Sequence, residues 1–120
     1  MTLYQKEVKI MSENVMEKIK SQVASNKILI YMKGTKDFPR CGFSAATVEV
    51  FKELGYPFET VDVLEDEEIR EGIKRFTNWP TIPQVFINGK FIGGCDITRE
   101  LYARGELQQM VKEAFETDSK

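Results

Sequence analysis

The sequence predicts a single α/β domain in which a four-stranded mixed β-sheet is flanked by helices, with one extra helix at the N-terminus. Three observations support this fold class. Two short apolar segments, residues 27–33 and 57–63, lie on either side of an amphipathic helical pattern, which is typical of parallel strands joined by a crossover helix. Two further apolar segments flank Asn88 and Gly89, a pair that favours a type I′ hairpin turn. The 120 residues are enough for one domain with a hydrophobic core but not for two.

The first half of the chain begins with a helical pattern. Ser12 is expected to cap the N-terminus of this first helix. The apolar face of the helix is formed by three residues spaced four apart: Val15, Ile19 and Val23. A buried strand is predicted over residues 27–33 because this run is apolar and rich in Ile and Tyr. After the loop "GTKDFPR", a second helix is expected to begin at Cys41 and to end at Gly55.

The second half continues the alternation. A strand is predicted over residues 57–63 and a third helix over residues 65–76, whose acidic residues gather at its start as the helix dipole favours. The hairpin follows at residues 84–92. Asp96 is expected to cap the last helix, which Gly105 interrupts before it is completed. The predicted order is therefore α-β-α-β-α-β-β-α.

The predicted domain spans residues 12–115, which contain all of these periodic patterns. Residues 1–11 are expected to form a flexible N-terminal extension, and residues 116–120 a short C-terminal tail.

Composition excludes several classes of function. The net charge of −2 gives no reason to expect nucleic acid or an anionic membrane as a partner. No apolar run approaches the roughly 20 residues of a membrane-spanning helix, and the N-terminus has no apolar core of signal-peptide type. We therefore expect an intracellular protein with reduced thiols. Two cysteines and no histidine are too few for a disulfide scaffold, or for a four-ligand zinc site within one chain.

Cys41 is the first candidate for chemistry. It lies where a loop meets the start of a helix, and the unpaired N–H groups and dipole of a helix N-terminus favour a thiolate. Lys33, at the end of the preceding strand, can add positive charge. A second redox thiol would be expected three residues later, where the chain has Ser44 instead. The alternative interpretation is that Cys41 is a buried structural cysteine.

Two other segments are unusual. In "NWPTIPQVF", a cis bond between Ile82 and Pro83 would leave the Ile82 backbone free to bind a ligand, although an ordinary trans proline is the commoner arrangement. In "IGGCDIT", two glycines precede a helix N-terminus, an arrangement that binds a carboxylate through backbone N–H groups near Cys95 and Asp96. The alternative there is a tight turn that needs glycine for its φ angles, with Cys95 a small packed residue.

Taken together, these pieces resemble one family. Lys33, the CGFS motif at 41–44, "WPTIPQ" at 79–84 and "GGCD" at 93–96 occur in this order and at these spacings in the monothiol glutaredoxins of CGFS type. These are single-domain members of the thioredoxin-fold superfamily. The resemblance covers about residues 12–115 and is strongest to the short bacterial and mitochondrial kind.

The resemblance implies a cofactor. In that family the CGFS cysteine, here Cys41, ligates a [2Fe-2S] cluster that two chains share as a homodimer and that two glutathione thiolates complete. This arrangement supplies the required number of ligands. Such a cluster takes four thiolates, and each chain offers only one well-placed thiol.

The resemblance also implies how glutathione is held. Lys33 and Arg70 would pair with its glycine carboxylate, and the Ile82 backbone would bond its cysteine residue. The N–H groups at Cys95 and Asp96 would bind the γ-glutamyl carboxylate, while the Asp96 side chain accepts from the amine. For Arg70 the alternative is a solvated arginine among the glutamates of its own helix.

Three functions remain open from the sequence. The first is a cluster carrier that receives a cluster from an iron–sulfur scaffold and passes it to target proteins. The second is a glutathione-dependent thiol–disulfide oxidoreductase, with at most weak activity because Ser44 cannot resolve a mixed disulfide, although Cys95 or free glutathione could. The third is a regulatory module in which a BolA-like protein replaces the second chain. A cytoplasmic location is expected, or the mitochondrial matrix in a eukaryote, and a disulfide between Cys41 and Cys95 stays open.

Overall fold

The computed structural model describes the backbone of residues 3–116 and the side chains of residues 13–116. The elements in chain order are α1 (Leu3–Ser25), β1 (Ile28–Met32), α2 (Gly42–Leu54), β2 (Glu59–Asp62), α3 (Glu67–Thr77), β3 (Gln84–Ile87), β4 (Lys90–Gly93), α4 (Cys95–Ala103) and α5 (Glu106–Glu116). None of the helices in this described part is long and apolar enough to cross a membrane. The predicted order is confirmed, except that the last helix is divided in two.

The four strands form one mixed sheet in the order β2-β1-β3-β4. β1 and β2 are parallel, whereas β1 with β3 and β3 with β4 are antiparallel. Asn88 and Gly89 both have positive φ, 52° and 80°, as a type I′ hairpin requires. The mixed sheet and the hairpin turn are therefore as the sequence predicts.

The core has two layers because alternate side chains of β1 point to opposite faces of the sheet. Ile28, Ile30 and Met32 pack with residues of α2 and α5. Leu29 and Tyr31 pack with residues of α1 and α3 on the other face. Every residue of β1 is buried. The central strand is thus fixed on both faces, and its C-terminal end is a rigid support for the residues that follow it.

Helix ends differ from the predictions at two places. Ser12 lies inside α1, which begins at Leu3, so Ser12 is not its N-cap. Gly94 rather than Asp96 is the N-cap of α4, and Asp96 lies in the first turn. The interruption predicted at Gly105 is confirmed: with φ of 79° it separates α4 from α5, because a left-handed residue ends a helix. The predicted end of α2 at Gly55 is confirmed, again with positive φ.

The predicted extension, residues 1–11, overlaps the beginning of α1, so that domain boundary stays a prediction. Its first two residues lie outside the described residues, as do residues 117–120 of the predicted tail. Side chains of α1 that are described and buried begin at Val15, and they pack on α3. Gly72 makes this approach close, since a Cβ there would overlap Val15.

Candidate functional site

A groove of about 450 Å³ runs between the end of β1, the beginnings of α2 and α4, and the segment before β3. It is lined by all six residues that the sequence singled out: Lys33, Cys41, Arg70, Ile82, Cys95 and Asp96. Residues 63 positions apart in the chain thus meet on one surface, from Lys33 to Asp96. Their binding roles stay predictions, but the structure brings the whole set together.

Lys33 and Cys41 are joined by a closed loop. Lys33 follows β1 directly, and its carbonyl accepts the Arg40 N–H at 2.9 Å. Inside the loop, Gly34 and Pro39 form an isolated antiparallel bridge. Gly34 has φ of 91°, and a Cβ there would lie 2.5 Å from the Phe38 carbonyl oxygen. Glycine is therefore required for the turn that returns the chain from the strand end to Cys41.

Cys41 is the N-cap of α2 and is half-buried at the edge of the groove. Burial raises the pKa of its thiol. Four other interactions together lower it by more: those with the N–H groups of Ser44 and Phe43, with the Ser44 hydroxyl and with the Lys33 charge. The pKa of Cys41 therefore lies below its ordinary value. The Cys41 side chain makes no capping hydrogen bond to the start of α2. This direction favours the thiolate form of Cys41, and its role in the chemistry of the site stays a prediction.

Cys95 differs from Cys41 in exposure. It is the first residue of α4, it is only 6% exposed, and both cysteines are free thiols in this structure. Its neighbour Gly94 lies against the segment before β3: a Cβ on Gly94 would be 3.2 Å from the Pro83 carbonyl oxygen and 3.6 Å from Trp79 Nε1. The glycine turn therefore allows two walls of the groove to touch, in addition to starting a helix.

The segment Trp79–Pro83 is held in place by Gln84, which is fully buried at the start of β3. Gln84 Nε2 donates to the Trp79 carbonyl at 2.9 Å and to the Thr81 carbonyl at 3.2 Å. Its Oε1 accepts from the Thr77 hydroxyl at 2.8 Å. The bond between Ile82 and Pro83 is cis, which resolves the alternative left open by the sequence. Ile82 lies before β3, outside the sheet ladder, and lines the groove.

The groove is positively charged. Among its described lining residues, Lys33, Arg70 and Lys74 are cationic, and Asp96 alone carries a carboxylate. Arg70 makes one long ion pair with Glu67 at 3.8 Å, and Lys74 makes one with Glu71 at 3.9 Å. Partly exposed pairs of this length are weak, so both cations are available to an anion in the groove. The alternative, in which Arg70 is only a solvated arginine among glutamates, is therefore incomplete. Arg70 also lines the groove.

Two buried donors in this groove lack partners within the described residues: Arg70 Nε and Trp79 Nε1. A buried N–H without an acceptor is costly, and such a group at a groove wall is one that a ligand or water commonly satisfies. The cations, these donors and the Ile82 backbone suit a ligand with several carboxylate and amide oxygens. Among the described residues, no group of three or more His, Cys, Asp or Glu side chains could hold a metal ion.

Sequence reasoning missed three groove residues. Lys74 lies four positions after Arg70 on α3, and this helical spacing was the signal that could have found it. Trp79 belonged to a recognised motif, but nothing in the sequence indicated that its ring would pack on Phe91 with centroids 5.7 Å apart. Phe43 follows Cys41 by two residues and is 63% exposed, so it places apolar surface beside the thiol.

Comparison with known proteins shows the family and the fold. The family described as Glutaredoxin matches residues 28–92. The chain is 54% identical to an uncharacterized monothiol glutaredoxin, ycf64-like, of Synechocystis sp., over 88% of this chain and 98% of that protein. The fold matches the solution structure of reduced poplar apo GrxS14, with a TM-score of 0.74 and 50% identity over 82% of this chain and 91% of that one.

A second solved structure is a buckwheat glutaredoxin in complex with glutathione. It has a TM-score of 0.78 and 28% identity, and the match covers 87% of this chain and 93% of that one. These likenesses confirm the predicted fold, including its four-stranded mixed sheet.

Proposed function

The chain belongs to the monothiol glutaredoxins, and from that membership we propose that it carries a [2Fe-2S] cluster, held between two copies of the chain with two glutathione molecules. The cluster is cargo: the protein receives it from an iron–sulfur scaffold protein and passes it to target proteins. The proposed location is the cytoplasm, or the mitochondrial matrix in a eukaryote, because thiols stay reduced there.

The observation that carries this proposal is that each chain offers one accessible thiol. Cys41 is half-buried at the groove edge, whereas Cys95 is 6% exposed. A [2Fe-2S] cluster is commonly held by four thiolates, and the chain has no histidine to replace any of them. Two chains supply two thiolates, and a small thiol bound in each groove supplies the other two.

Glutathione fits the groove by its chemistry. It has two carboxylates, one amine, two amides and a thiol, and the described lining of the groove has three cations and one carboxylate. In this proposal Lys33 and Arg70 bind the glycine carboxylate. The Ile82 backbone pairs with the cysteine residue of glutathione. The N–H groups of Cys95 and Asp96 bind the γ-glutamyl carboxylate, and the Asp96 side chain accepts from the amine.

These residues would perform both binding and release. The lowered pKa of Cys41 favours the thiolate, which is the form that binds iron. Glutathione is held without a covalent bond to the chain. Transfer to a target protein with several thiolates therefore breaks only one protein–iron bond per chain, which favours delivery over storage.

Partners would approach the surface around the thiol. Phe38 is 75% exposed and Phe43 is 63% exposed, and both lie within three residues of Cys41. Exposed aromatic side chains around a site are suited to contact with another protein. We propose that this surface meets the second copy in the homodimer and, in a mixed dimer, a BolA-like protein.

The second candidate function is reduction of glutathionylated proteins. One observation favours it: the accessible Cys41 has a lowered pKa, as a nucleophile requires. In that reaction the Cys41 thiolate attacks the mixed disulfide, takes the glutathionyl group and releases the protein thiol. A second glutathione, as thiolate, then reduces the Cys41 mixed disulfide and leaves as glutathione disulfide. Because Ser44 cannot speed this second step as a thiol would, we expect the activity to be weak.

One experiment tests the proposed cluster ligands. Wild type, Cys41→Ser and Cys95→Ser are reconstituted anaerobically with iron, sulfide and glutathione, and iron and glutathione are counted per chain while light scattering gives the mass. Wild type and Cys95→Ser should become dimers with one cluster and two glutathione molecules. Cys41→Ser should stay a monomer without iron. A loaded monomer, a cluster in Cys41→Ser, or equal loss in both variants would refute the proposed ligand set.

A further inference from the structure

Three exposed side chains outside the groove gather around one residue, Gly34. Phe38 is 75% exposed, Leu64 is 51% exposed and Arg40 is also exposed, and none of the three lines the groove. A Cβ on Gly34 would lie 2.5 Å from the Phe38 carbonyl oxygen and 2.8 Å from Arg40 Cγ. The Gly34 and Leu64 N–H groups donate to the same oxygen, Asp62 Oδ1. We call the surface formed by Phe38, Arg40 and Leu64 the Gly34 patch.

Hydrogen bonds hold the Gly34 patch in shape. The Thr35 N–H donates to the Phe38 carbonyl at 3.2 Å, and the Phe38 N–H donates to the Thr35 carbonyl at 3.1 Å. Within this turn, Lys36 Nζ donates to the Phe58 carbonyl at 3.0 Å, which ties the turn to the segment before β2. An aromatic side chain on an ordered turn loses little conformational freedom on binding. Phe38 is therefore suited to be the anchor of an interface.

The Gly34 patch is positively charged on the side of Cys41. Arg40 directly precedes Cys41, and none of the ion pairs between described side chains includes it. The segment from Lys33 to Arg40 carries three cations and one carboxylate, Asp37. One of these cations, Lys36, is already paired with a glutamate at 3.2 Å. Arg40 is thus a cation beside the thiol, outside the groove, that an anionic group of another molecule can reach.

The charge changes sign across the Gly34 patch. Glu65 follows Leu64 and is exposed, so it lies at the edge opposite Arg40. Exposed apolar side chains that stand singly need no explanation, but adjacent ones with a polar rim mark a contact site for another protein. A molecule that fits this surface has apolar side chains in its middle and a carboxylate near Cys41.

We propose that the Gly34 patch binds the cysteine-bearing segment of an acidic target protein, with an apolar side chain against Phe38 and Leu64 and a carboxylate against Arg40. This rests on the proposed function in one respect, namely that the surface around Cys41 meets another protein. Because the patch lies outside the groove, bound glutathione leaves it uncovered.

Charge favours an acidic target over a second copy of the chain as the occupant. In a two-fold dimer joined through its two Cys41 residues, each copy presents the same surface to the other, so the two Arg40 side chains would lie near each other. Like charges that face each other across an interface are unfavourable. An acidic target gains from the same cation, so the patch favours replacement of the second copy by the target.

The test uses the full-length apo protein and short peptides whose single cysteine is activated as a 2-thiopyridyl disulfide. The Cys41 thiolate attacks the peptide sulfur, the sulfur–sulfur bond of the peptide breaks, a disulfide forms between Cys41 and the peptide, and pyridine-2-thione leaves. The absorbance of the thione gives the rate. One peptide has a glutamate and a leucine beside its cysteine, a second has lysine for the glutamate, and a third has serine for the leucine. The ratio of two peptide rates on one protein cancels the reactivity of Cys41 itself.

The wild type should react faster with the glutamate peptide than with the lysine peptide at low ionic strength. Arg40→Gln should reduce this ratio by about twofold to fivefold, as expected for one exposed charge pair. Lys52→Gln is the matched control, because it removes an exposed cation from the other end of α2, about 15 Å from the first residue of that helix. It should leave the ratio unchanged. An unchanged ratio in Arg40→Gln, or an equal reduction in Lys52→Gln, would overturn the proposal.

The apolar part of the Gly34 patch is tested with Phe38→Ser. This variant should reduce the advantage of the leucine peptide over the serine peptide by about fivefold, the effect of removing an interface anchor. Light scattering of the apo wild type and Phe38→Ser over one concentration range tests the second copy as the occupant. Self-association that Phe38→Ser abolishes, together with unchanged peptide ratios, would assign the patch to the second copy and overturn the proposal.

The outcome is separable from the proposed cargo, because the test uses apo protein without iron or glutathione. A wild-type protein that fails to load a cluster would contradict the proposed function and leave the target-binding patch standing. Equal rates with the glutamate and lysine peptides would contradict the patch and leave the cluster proposal standing.

Discussion

Asp62 and Gly34 are hydrogen-bonded across 28 positions of the chain: Asp62 Oδ1 accepts the Gly34 N–H at 2.9 Å. The same oxygen accepts the Leu64 N–H at 2.9 Å. One carboxylate oxygen at the end of β2 therefore anchors the loop that leads from β1 to Cys41. The thiol is positioned by a residue that does not line the groove.

Asp62→Ala should destabilise the protein and disorder this loop. It leaves the part-buried Gly34 N–H without an acceptor, which costs about 1–3 kcal/mol. Asp62→Asn keeps an acceptor oxygen and should lose clearly less. Urea unfolding of both variants measures the difference, and equal losses would show that the carboxylate charge, not the acceptor, is what matters.

Gly34→Ala should be more damaging than other substitutions of glycines with positive φ. At Gly105, with φ of 79°, an added Cβ would meet no described atom within 4 Å, whereas at Gly34 it would lie 2.5 Å from the Phe38 oxygen. Gly105→Ala should cost about 1 kcal/mol for its φ angle alone. Gly34→Ala should cost about 3 kcal/mol, because overpacking adds about 1–3 kcal/mol. Similar melting temperatures for the two would contradict the steric argument.

Gln84→Glu should loosen the segment Trp79–Pro83. The change is nearly isosteric, but it replaces an amide that donates to two carbonyls by a group that cannot donate when ionised. Thr77→Val leaves both of those bonds, although it removes the hydroxyl that donates to Gln84 Oε1 and accepts the Trp79 N–H. We expect Gln84→Glu to lose glutathione from the reconstituted protein and Thr77→Val to retain it. Loss of glutathione in both variants would mean that the substitutions act by lowering the overall stability of the protein.

The stability of the apo protein should depend on pH through Cys41. The folded thiol has a pKa below its ordinary value, so the unfolded chain binds more protons in the interval between the folded pKa and the unfolded value of about 8.5. The contribution of Cys41 to the free energy of unfolding therefore rises with pH across this interval. It reaches its full value above the interval, and it is lost as the pH falls through the folded pKa. Urea unfolding of wild type and Cys41→Ser at a series of pH values should give a difference that grows with pH. A difference that shrinks as pH rises would contradict the assigned sign.

Removing residues 1–10 should leave folding and cluster loading intact. The described contacts of α1 with α3 begin at Val15, and a chain that starts at Met11 keeps them. Thermal melting and iron counting against the full chain test this domain boundary. A large fall in melting temperature would move the boundary towards the N-terminus.

Much of the fold could be predicted from local sequence patterns. The strands of the sheet and the hairpin follow from apolar runs and from Asn88 and Gly89, because these signals act over a few residues. Helix ends were harder to predict: Ser12 is a good capping residue, yet the helix continues through it. Propensity is a weak preference that the rest of the fold overrides.

The residues of the candidate site also fall into two groups, those that the sequence predicted and those that it did not. Five of the six predicted residues belong to motifs that are rare in combination, Arg70 was implied by the family resemblance, and the groove contains them all. Lys74, Asp62 and Gln84 were not found, since their importance depends on how separate elements meet. A carboxylate at the end of a strand, or an amide at the start of one, looks ordinary in the sequence until the loop that it holds is known.

Trp79 gives the groove an optical signal of its own. It is the single tryptophan of the chain, it lines the groove, and its indole N–H is buried without a partner in the described residues. Indole emission depends on the polarity and hydrogen bonding around the ring, and an iron–sulfur chromophore nearby quenches it by energy transfer. Intrinsic fluorescence of the unlabelled protein would therefore follow occupation of the groove in real time, with no second tryptophan to obscure it.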